Sequence, residues 1–237
     1  MSSNIKNPAL VILVLCMIAH YSFGQQNGKA RVAVIQATGL PIQDPFMDDY
    51  QPEKVRPQMT AHFNKLLGLF EEAGESGADI VCGPEDMQHI GAYGLHINKT
   101  DAETGEVLFN SLAVPVPGKL TRKVADIAKR HNMYIIAPIY EKDNNGKIYN
   151  TAVVFDRQGR IMGKHRKTIM PVMETWLVDS GDEYEIFETD FGNVAIATCW
   201  EISYPEISSI YALKGADIIF NPTMAKDNKP GQSLETA

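Results

Sequence analysis

Cys199 follows the short apolar run 194–197 and Thr198, which is long enough for one buried strand. A strand end fixes the backbone, and the amides that open the following turn can face a developing oxyanion. Taken alone, such a cysteine reads as a small buried hydrophobe. A thiol attacks a carbonyl or nitrile carbon as the thiolate, and its free pKa is about 8.5, so a base and a cation must stand close to it. Two other stretches offer them. Glu85 follows Gly83-Pro84 and the apolar stretch 79–82. A carboxylate there can take the thiol proton and later activate water, though a solvated strand end is an equally ready reading. The second stretch is Gly163-Lys164-His165-Arg166-Lys167, by itself an ordinary basic surface turn.

Other chemistries find less support. The chain has no Gly-x-Ser-x-Gly elbow, no His-Glu-x-x-His, no paired Cys-x-x-Cys and no phosphate-cradling Gly-Lys-Ser/Thr loop. His89 and His96 share one loop, where two histidines read as surface residues before they read as metal ligands. A Cys–His hydrolase stays open, with His89, His96, His131 or His165 as the partner of Cys199.

Taken in chain order, the Gly83-Pro84-Glu85, Lys164–Lys167 and Cys199-Trp200-Glu201 segments resemble the nitrilase (carbon–nitrogen hydrolase) superfamily, as does Asn150-Thr151-Ala152-Val153-Val154-Phe155-Asp156. The resemblance runs from about Ala30 to the end of the chain. It implies a Glu85–Lys167–Cys199 triad. Lys167 is preferred to Lys164 because the family's lysine follows the arginine. Its ammonium and the Trp200 backbone N–H would face the oxyanion. Glu174 would orient Lys167 or the substrate, and Trp200, Glu201 and Tyr204 would line or support the pocket. Asn221-Pro222-Thr223 would form part of the rim.

The implied fold is α/β, a four-layer α-β-β-α sandwich that here lacks its C-terminal part. The implied reaction is hydrolysis of a non-peptide carbon–nitrogen bond in a small amide or carbamoyl-amide, through a thioester on Cys199 and without a cofactor. Nitrile hydrolysis and an inactive binding module are the alternatives. The expected partner is a small amide or nitrile, with a homo-oligomer if the fold is complete.

The elements that must position these residues can be read in outline. A β-rich run at 31–37 is followed by turn-rich sequence and then by a helical pattern over 53–74 carried by Met59, Phe63, Leu66, Leu67 and Phe70. Asp79 to Cys82 is the next strand, and strand–helix–strand order implies a parallel crossover. A long irregular loop is expected over 89–108, which also contains the sequon Asn98-Lys99-Thr100. A helix at 118–131, strands at 133–139 and 149–156, and a hairpin into 161–164 come next. After Cys199, a helix at 205–214 and a strand at 217–220 close the pattern, with a polar tail over 225–237.

With 237 residues and 44% hydrophobic composition, the chain can bury one sizeable core. Its net charge of −7 does not suggest a nucleic-acid footprint. Lys6, the apolar stretch 9–19 and Ser22-Phe23-Gly24 read as a signal peptide over 1–24, removed before Gln25. The hydrolase domain then occupies 25–237, in an exported protein without a stable membrane anchor. The apolar stretch is short for a bilayer span of about 20 residues, and Leu15 before Cys16 argues against a lipoprotein site. Of the two remaining cysteines, Cys82 is expected to fill core space. A Cys82–Cys199 disulfide would disable the nucleophile.

Overall fold

The computed structural model describes residues 29–36, 51–91, 100–101 and 103–224. The signal-peptide reading, Cys16, His96, Asn98-Lys99 and the polar tail lie outside the described residues. The first strand, β1 (Val32–Val34), leads to helix α1 (Pro52–Glu75) and strand β2 (Ile80–Cys82). Two further helices follow, α2 (Leu108–Leu112) and α3 (Lys119–His131), then strands β3 (Tyr134–Lys142), β4 (Ile148–Phe155) and β5 (Ile161–Arg166). Strands β6 (Phe187–Thr189) and β7 (Gly192–Ile196), helix α4 (Pro205–Leu213) and strand β8 (Ile218–Phe220) complete the order.

Strands β1 to β5 form one sheet in sequential order, and β6, β7 and β8 form a second. β1, β2 and β3 pair in parallel, as the β1–α1–β2 crossover requires. β3, β4 and β5 pair antiparallel through short turns. The β4–β5 turn is held by Asp156, whose Oδ1 accepts the Gln158 and Arg160 amides, each at 2.9 Å.

Side-chain alternation assigns the layers. Val81, Ile135, Ala137, Val153 and Phe155 leave one face of the larger sheet and pack on Phe63, Leu66 and Phe70 of α1 and Val124 and Ile127 of α3. The opposite face, with Ile80, Ile136, Ala152 and Val154, packs on Phe187, Val194, Ile196 and Phe220 of the smaller sheet. Ala195, on the far face of β7, packs on Ile207 and Tyr211 of α4. The order is therefore helices, sheet, sheet, helix, the four-layer α-β-β-α arrangement. Because both faces are covered, every residue of β4 is buried, and its sequence reads as a nearly continuous run rather than an alternation. β1 is the exception. Val32 and Val34 project on the inter-sheet side, where Ile80 and Cys82 are buried, yet they are 43% and 66% exposed.

Some expectations need correction. The strand expected over 161–164 continues as β5 through Arg166, and Lys167 is buried, which closes the alternative reading of 164–167 as a basic surface turn. The loop expected to run through 108 gives way to α2 at Leu108, because Leu108, Phe109 and Leu112 pack with Val55, Ile90 and Tyr140. Strand β6 was not anticipated; three residues with only Phe187 buried give too short a pattern to read.

Candidate active site

The three candidate groups stand at the carboxyl ends of strands from both sheets. β2 ends at Cys82, the Gly83 amide extends its pairing by donating to the Ile136 carbonyl at 2.9 Å, and Glu85 follows. β5 ends at Arg166, and the Lys167 amide donates to the Asn150 carbonyl at 2.8 Å. The Lys167 carbonyl accepts the Gly181 amide at 2.9 Å. Gly181 is required there, since a Cβ would lie 2.1 Å from the Arg166 carbonyl oxygen. β7 ends at Ile196, and the Ala197 and Cys199 amides donate to the carbonyls of Phe220 and Pro222, both at 2.9 Å.

Cys199 has a φ of +50°, in the left-handed region that costs a residue bearing a Cβ. The sharp turn lifts its thiol off the end of the strand. Asn221 secures the turn by donating from Nδ2 to the Ala197 and Cys199 carbonyls, the latter at 3.2 Å. The 3₁₀ turn Cys199–Ser203 starts here, and its opening amides are the ones that have no acceptor within a helix.

The Lys167 ammonium joins the charged groups. Its Nζ donates to Glu85 Oε1 at 2.9 Å and to Glu174 Oε2 at 2.7 Å. Asn150 Nδ2 donates to the same two carboxylates, to Glu85 Oε1 at 2.8 Å and to Glu174 Oε1 at 2.7 Å. Glu85 Oε2 accepts the Met224 amide at 3.0 Å, so both its oxygens are fixed. Glu174 lies on the 3₁₀ turn Glu174–Trp176, and Tyr140 OH reaches its Oε1 at 3.5 Å. Glu85, Thr223 and Lys167 are the groups that act on the protonation of the Cys199 thiol.

The charge distribution sets the protonation states. Burial pulls the Lys167 pKa down, but Glu85 and then Glu174 outweigh it and hold the ammonium above the ordinary lysine value. For Cys199, burial and the Glu85 charge push the thiol up, while the Thr223 hydrogen bond and Lys167 pull it down; the balance is upward. The resting thiol is therefore held in its protonated form at neutral pH. Asp86, next to Glu85, is raised to about 7 by burial, with a contribution from the Glu85 charge, against amide bonds from Gly91, Ile90 and His89. Cys82 is a free, buried thiol, and so no disulfide holds Cys199.

Glu201 does not face the pocket. It is completely buried and ties the cysteine turn to the lysine strand: Oε2 accepts the Thr198 amide at 2.6 Å and meets His165 Nε2 at 2.8 Å. Oε1 accepts the Thr168 amide at 2.8 Å and its hydroxyl at 2.7 Å. Burial opposes charge on His165, but Glu185 and Glu201 outweigh it and raise the pKa to about 9. A raised folded pKa means stabilisation that is fully present below the unfolded value of about 6.5 and lost as pH rises through about 9. His165→Gln should therefore destabilise the protein most near pH 6, on the order of 3 kcal/mol. Chemical unfolding across pH 6–10 checks this: the deficit should shrink as pH rises from about 6.5 and be gone above about 9.

Trp200 and Tyr204 are exposed beside the nucleophile, with Trp200 Nε1 donating to Tyr204 OH at 3.2 Å. Of the alternative partners for Cys199, His165 is bound to Glu201, His131 pairs with Glu71, and the His89 ring lies 4.8 Å from that of His62. Asn150, Tyr140 and Asp86 belong to the site and were missed in the sequence. Asn150 did carry a signal, as a polar residue opening an apolar strand, and a buried polar group needs partners. Among the described residues no three His, Cys, Asp or Glu side chains are grouped to hold a metal ion.

This architecture, with a cysteine, a buried lysine and a glutamate just past strand ends and a second glutamate on a 3₁₀ turn, defines an α-β-β-α protein with a cysteine-centred candidate site. The carbon-nitrogen hydrolase family model matches residues 31–235, and the chain belongs to that family. The chain is 32% identical over 201 residues to a beta-ureidopropionase of Arabidopsis thaliana, covering 81% of this chain and 45% of that protein. It is 27% identical to an omega-amidase NIT2 of Xenopus tropicalis, covering 71% and 59%. A bifunctional nitrilase/nitrile hydratase NIT4A of Lupinus angustifolius is 32% identical, covering 69% and 49%. The chain thus spans about half the length of the curated relatives it matches. The crystal structure of a carbon-nitrogen hydrolase from Helicobacter pylori G27 shares the fold, with a TM-score of 0.64, 23% identity and coverage of 82% and 59%.

Proposed function

We propose that the protein hydrolyses a non-peptide carbon–nitrogen bond of a small amide or carbamoyl-amide through a thioester on Cys199. The observation that carries this reading is the convergence of the segments that follow three strand ends: Glu85 is bonded to a buried lysine that Glu174 also holds, and the charges of Glu85 and Lys167 both act on the Cys199 thiol. In the first step Sγ forms a bond to the carbonyl carbon as its proton passes to Glu85. The carbonyl electron pair moves onto oxygen, opposite the Lys167 ammonium and the Trp200 amide. Collapse restores the carbonyl and breaks the C–N bond, and the leaving nitrogen takes the proton from Glu85. Water then loses a proton to Glu85 and attacks the thioester. The second collapse breaks the C–S bond, returns the proton to sulfur and releases the acid.

Glu85 thus acts twice, as base and then acid in each half, while Lys167 keeps its charge throughout. The raised lysine pKa supports that division, since a cation held above its ordinary value is a poor proton donor at neutral pH. Nitrile hydrolysis is the second reading, favoured by the resemblance to the lupin nitrilase/nitrile hydratase.

Intact-mass spectrometry after incubation with short-chain amides, a carbamoyl-amide and a nitrile tests the proposal. The expected result is an acyl adduct, equal to the amide less ammonia, confined to Cys199. No adduct with any compound, together with thiol-probe labelling at the rate of an ordinary free cysteine, would sink the hydrolase reading and leave a binding module.

A further inference from the structure

His165 is a buried titratable side chain that the proposed reaction steps do not use, although it lies two residues before Lys167. It is paired with Ala152 on β4 and projects with it into the layer between the sheets. Among the described residues, the groups that face its ring nitrogens are acceptors. Nε2 is 2.8 Å from Glu201 Oε2, and the oxygens of Glu201 already accept hydrogens from the Thr198 amide, the Thr168 amide and the Thr168 hydroxyl. Nδ1 is 3.6 Å from Glu185 Oε2 and 3.5 Å from the Tyr211 hydroxyl oxygen, whose own hydrogen goes to the Ile196 carbonyl at 2.6 Å. A neutral imidazole has one donor and one acceptor nitrogen, and the acceptor would oppose an oxygen lone pair at either position. The surroundings therefore call for a ring that carries both protons. Burial works against that charge, and Glu185 and Glu201 outweigh it, which carries the pKa to about 9.

The neighbouring cations on β5 do not offer a substitute. Lys164 and Arg166 alternate to the other face of the strand and bind Glu141. From α4 the neutral Tyr211 reaches the ring, and Tyr184 packs edge-on against Tyr211 at 5.8 Å. Glu201 is where this charge meets the site. Its Oε2 holds Thr198, the residue before the nucleophile, and its Oε1 holds Thr168, the residue after Lys167. The 3₁₀ turn that carries Glu201 also carries Trp200, whose amide is proposed to meet the oxyanion. A buried carboxylate stripped of its cation is strongly destabilised. It relaxes by shifting toward other donors, and Thr198 and Thr168 shift with it.

We propose that His165 is a positioning residue of this reaction: its imidazolium fixes Glu201, and through Thr198 and Thr168 that carboxylate sets the Cys199 turn against Lys167. This rests on the hydrolase reading above. It adds a protonation outside the path that the reacting protons follow. The enzyme works with His165 charged and loses rate when that proton leaves, although His165 touches neither the substrate nor the reacting atoms.

The test measures kcat and KM for a short-chain amide from about pH 6.5 to about pH 10.5 in the wild type, His165→Gln and Glu185→Gln. Rates are divided by the fraction of protein that intact-mass spectrometry finds acylated at Cys199, so unfolded chains do not count. In the wild type, kcat should fall at least about tenfold as pH rises through about 9, while KM changes less than about twofold. That loss lies within the roughly 10²-fold that a misplacement of about 1 Å can cost. His165→Gln should already be at least about tenfold low in kcat near neutral pH and show no further step near pH 9. Glu185→Gln keeps the ring but removes one of its two carboxylates. Its kcat at the acid end should be close to wild type, and its alkaline fall should come at lower pH, because less negative charge holds the proton. A His165→Gln enzyme with wild-type kcat per acylated site overturns the proposal. So does one that keeps the step near pH 9, which would then belong to Cys199 or Lys167. Should His165→Gln fail to fold, an alkaline fall that Glu185→Gln leaves in place overturns it equally. No turnover and no Cys199 adduct in any arm overturns the hydrolase reading, and the proposal with it.

Discussion

Cys199→Ala should abolish turnover and the covalent adduct together. The other described thiol, Cys82, is buried in the layer between the sheets and cannot replace it. Without sulfur there is no acyl-enzyme, and direct attack by water would need Glu85 to act across the gap left by the side chain. The backbone should survive the change. The turn at residue 199 is held by its own amide on Pro222 and by Asn221, neither of which involves the thiol. Alanine also tolerates the positive φ no worse than cysteine, so the melting transition should stay close to that of the wild type. Cys199→Ser should be nearly as inactive, because a hydroxyl is far harder to deprotonate than even a thiol whose pKa has been raised. Turnover assays with intact-mass analysis decide the matter. An alanine variant that retains wild-type activity would remove Cys199 from the chemistry.

The raised thiol pKa has a mechanistic consequence. A stored thiolate would need the site to carry net positive charge, and here burial and Glu85 dominate over Thr223 and Lys167. On the proposed reading, proton transfer to Glu85 accompanies attack by sulfur. The two-sheet architecture permits this. β2 and β5 bring the acid and the lysine from one sheet, β7 brings the cysteine from the other, and the shared apolar layer of Ile80, Ile136, Val194 and Ile196 fixes the distance between them. Glu201 adds a polar brace across the same boundary, joining the cysteine turn to His165 and Thr168.

Much of this frame was legible because strands buried on both faces leave apolar runs. The runs at 79–82 and 194–197 both locate a strand end, and Glu85 and Cys199 lie three residues past β2 and β7. Lys167 was legible only through the motif. Local composition makes 164–167 a basic turn, and nothing in it announces that β5 would carry Lys167 into a fully enclosed position. Asn150 was harder, since its role depends on two glutamates 65 and 24 residues away in sequence. The direction of Glu201 could not be read either. Glutamate beside an exposed tryptophan suggests a pocket wall, whereas the 3₁₀ turn rotates it inward onto a buried histidine. β6 was invisible because its pairing with β7, and not its own sequence, makes it a strand.

Lys167→Met and Lys164→Met should separate sharply although they lie three residues apart. Lys167 is 1% exposed and is the cation shared by the buried Glu85 and the half-buried Glu174. Methionine keeps much of the stem but leaves two acids facing each other, held only by Asn150, Tyr140 and the Met224 amide. Removing one partner of such a buried arrangement costs about 3–5 kcal/mol. Turnover should fall by a further factor of about 10²–10³, the cost of losing one oxyanion donor at an acyl-transfer site. Lys164 differs: its side chain is 35% exposed, and Glu141 keeps Arg166 and Thr151 when it is gone. Because the buried Glu141 keeps those partners and only the exposed end of the pair is lost, the cost should be about 1 kcal/mol or less, and activity should stay within about twofold, well under 1 kcal/mol. Lys167→Arg separates folding from chemistry. It restores a cation for the two glutamates, so stability should recover in part, but a planar guanidinium cannot place a point charge where Nζ lies, so turnover should remain low. Thermal melts and steady-state kinetics on the three variants decide the assignment. An inactive Lys164→Met beside an active Lys167→Met would transfer the role to Lys164. Full activity in both would leave the oxyanion without its proposed cation and return the Cys–His alternative to consideration.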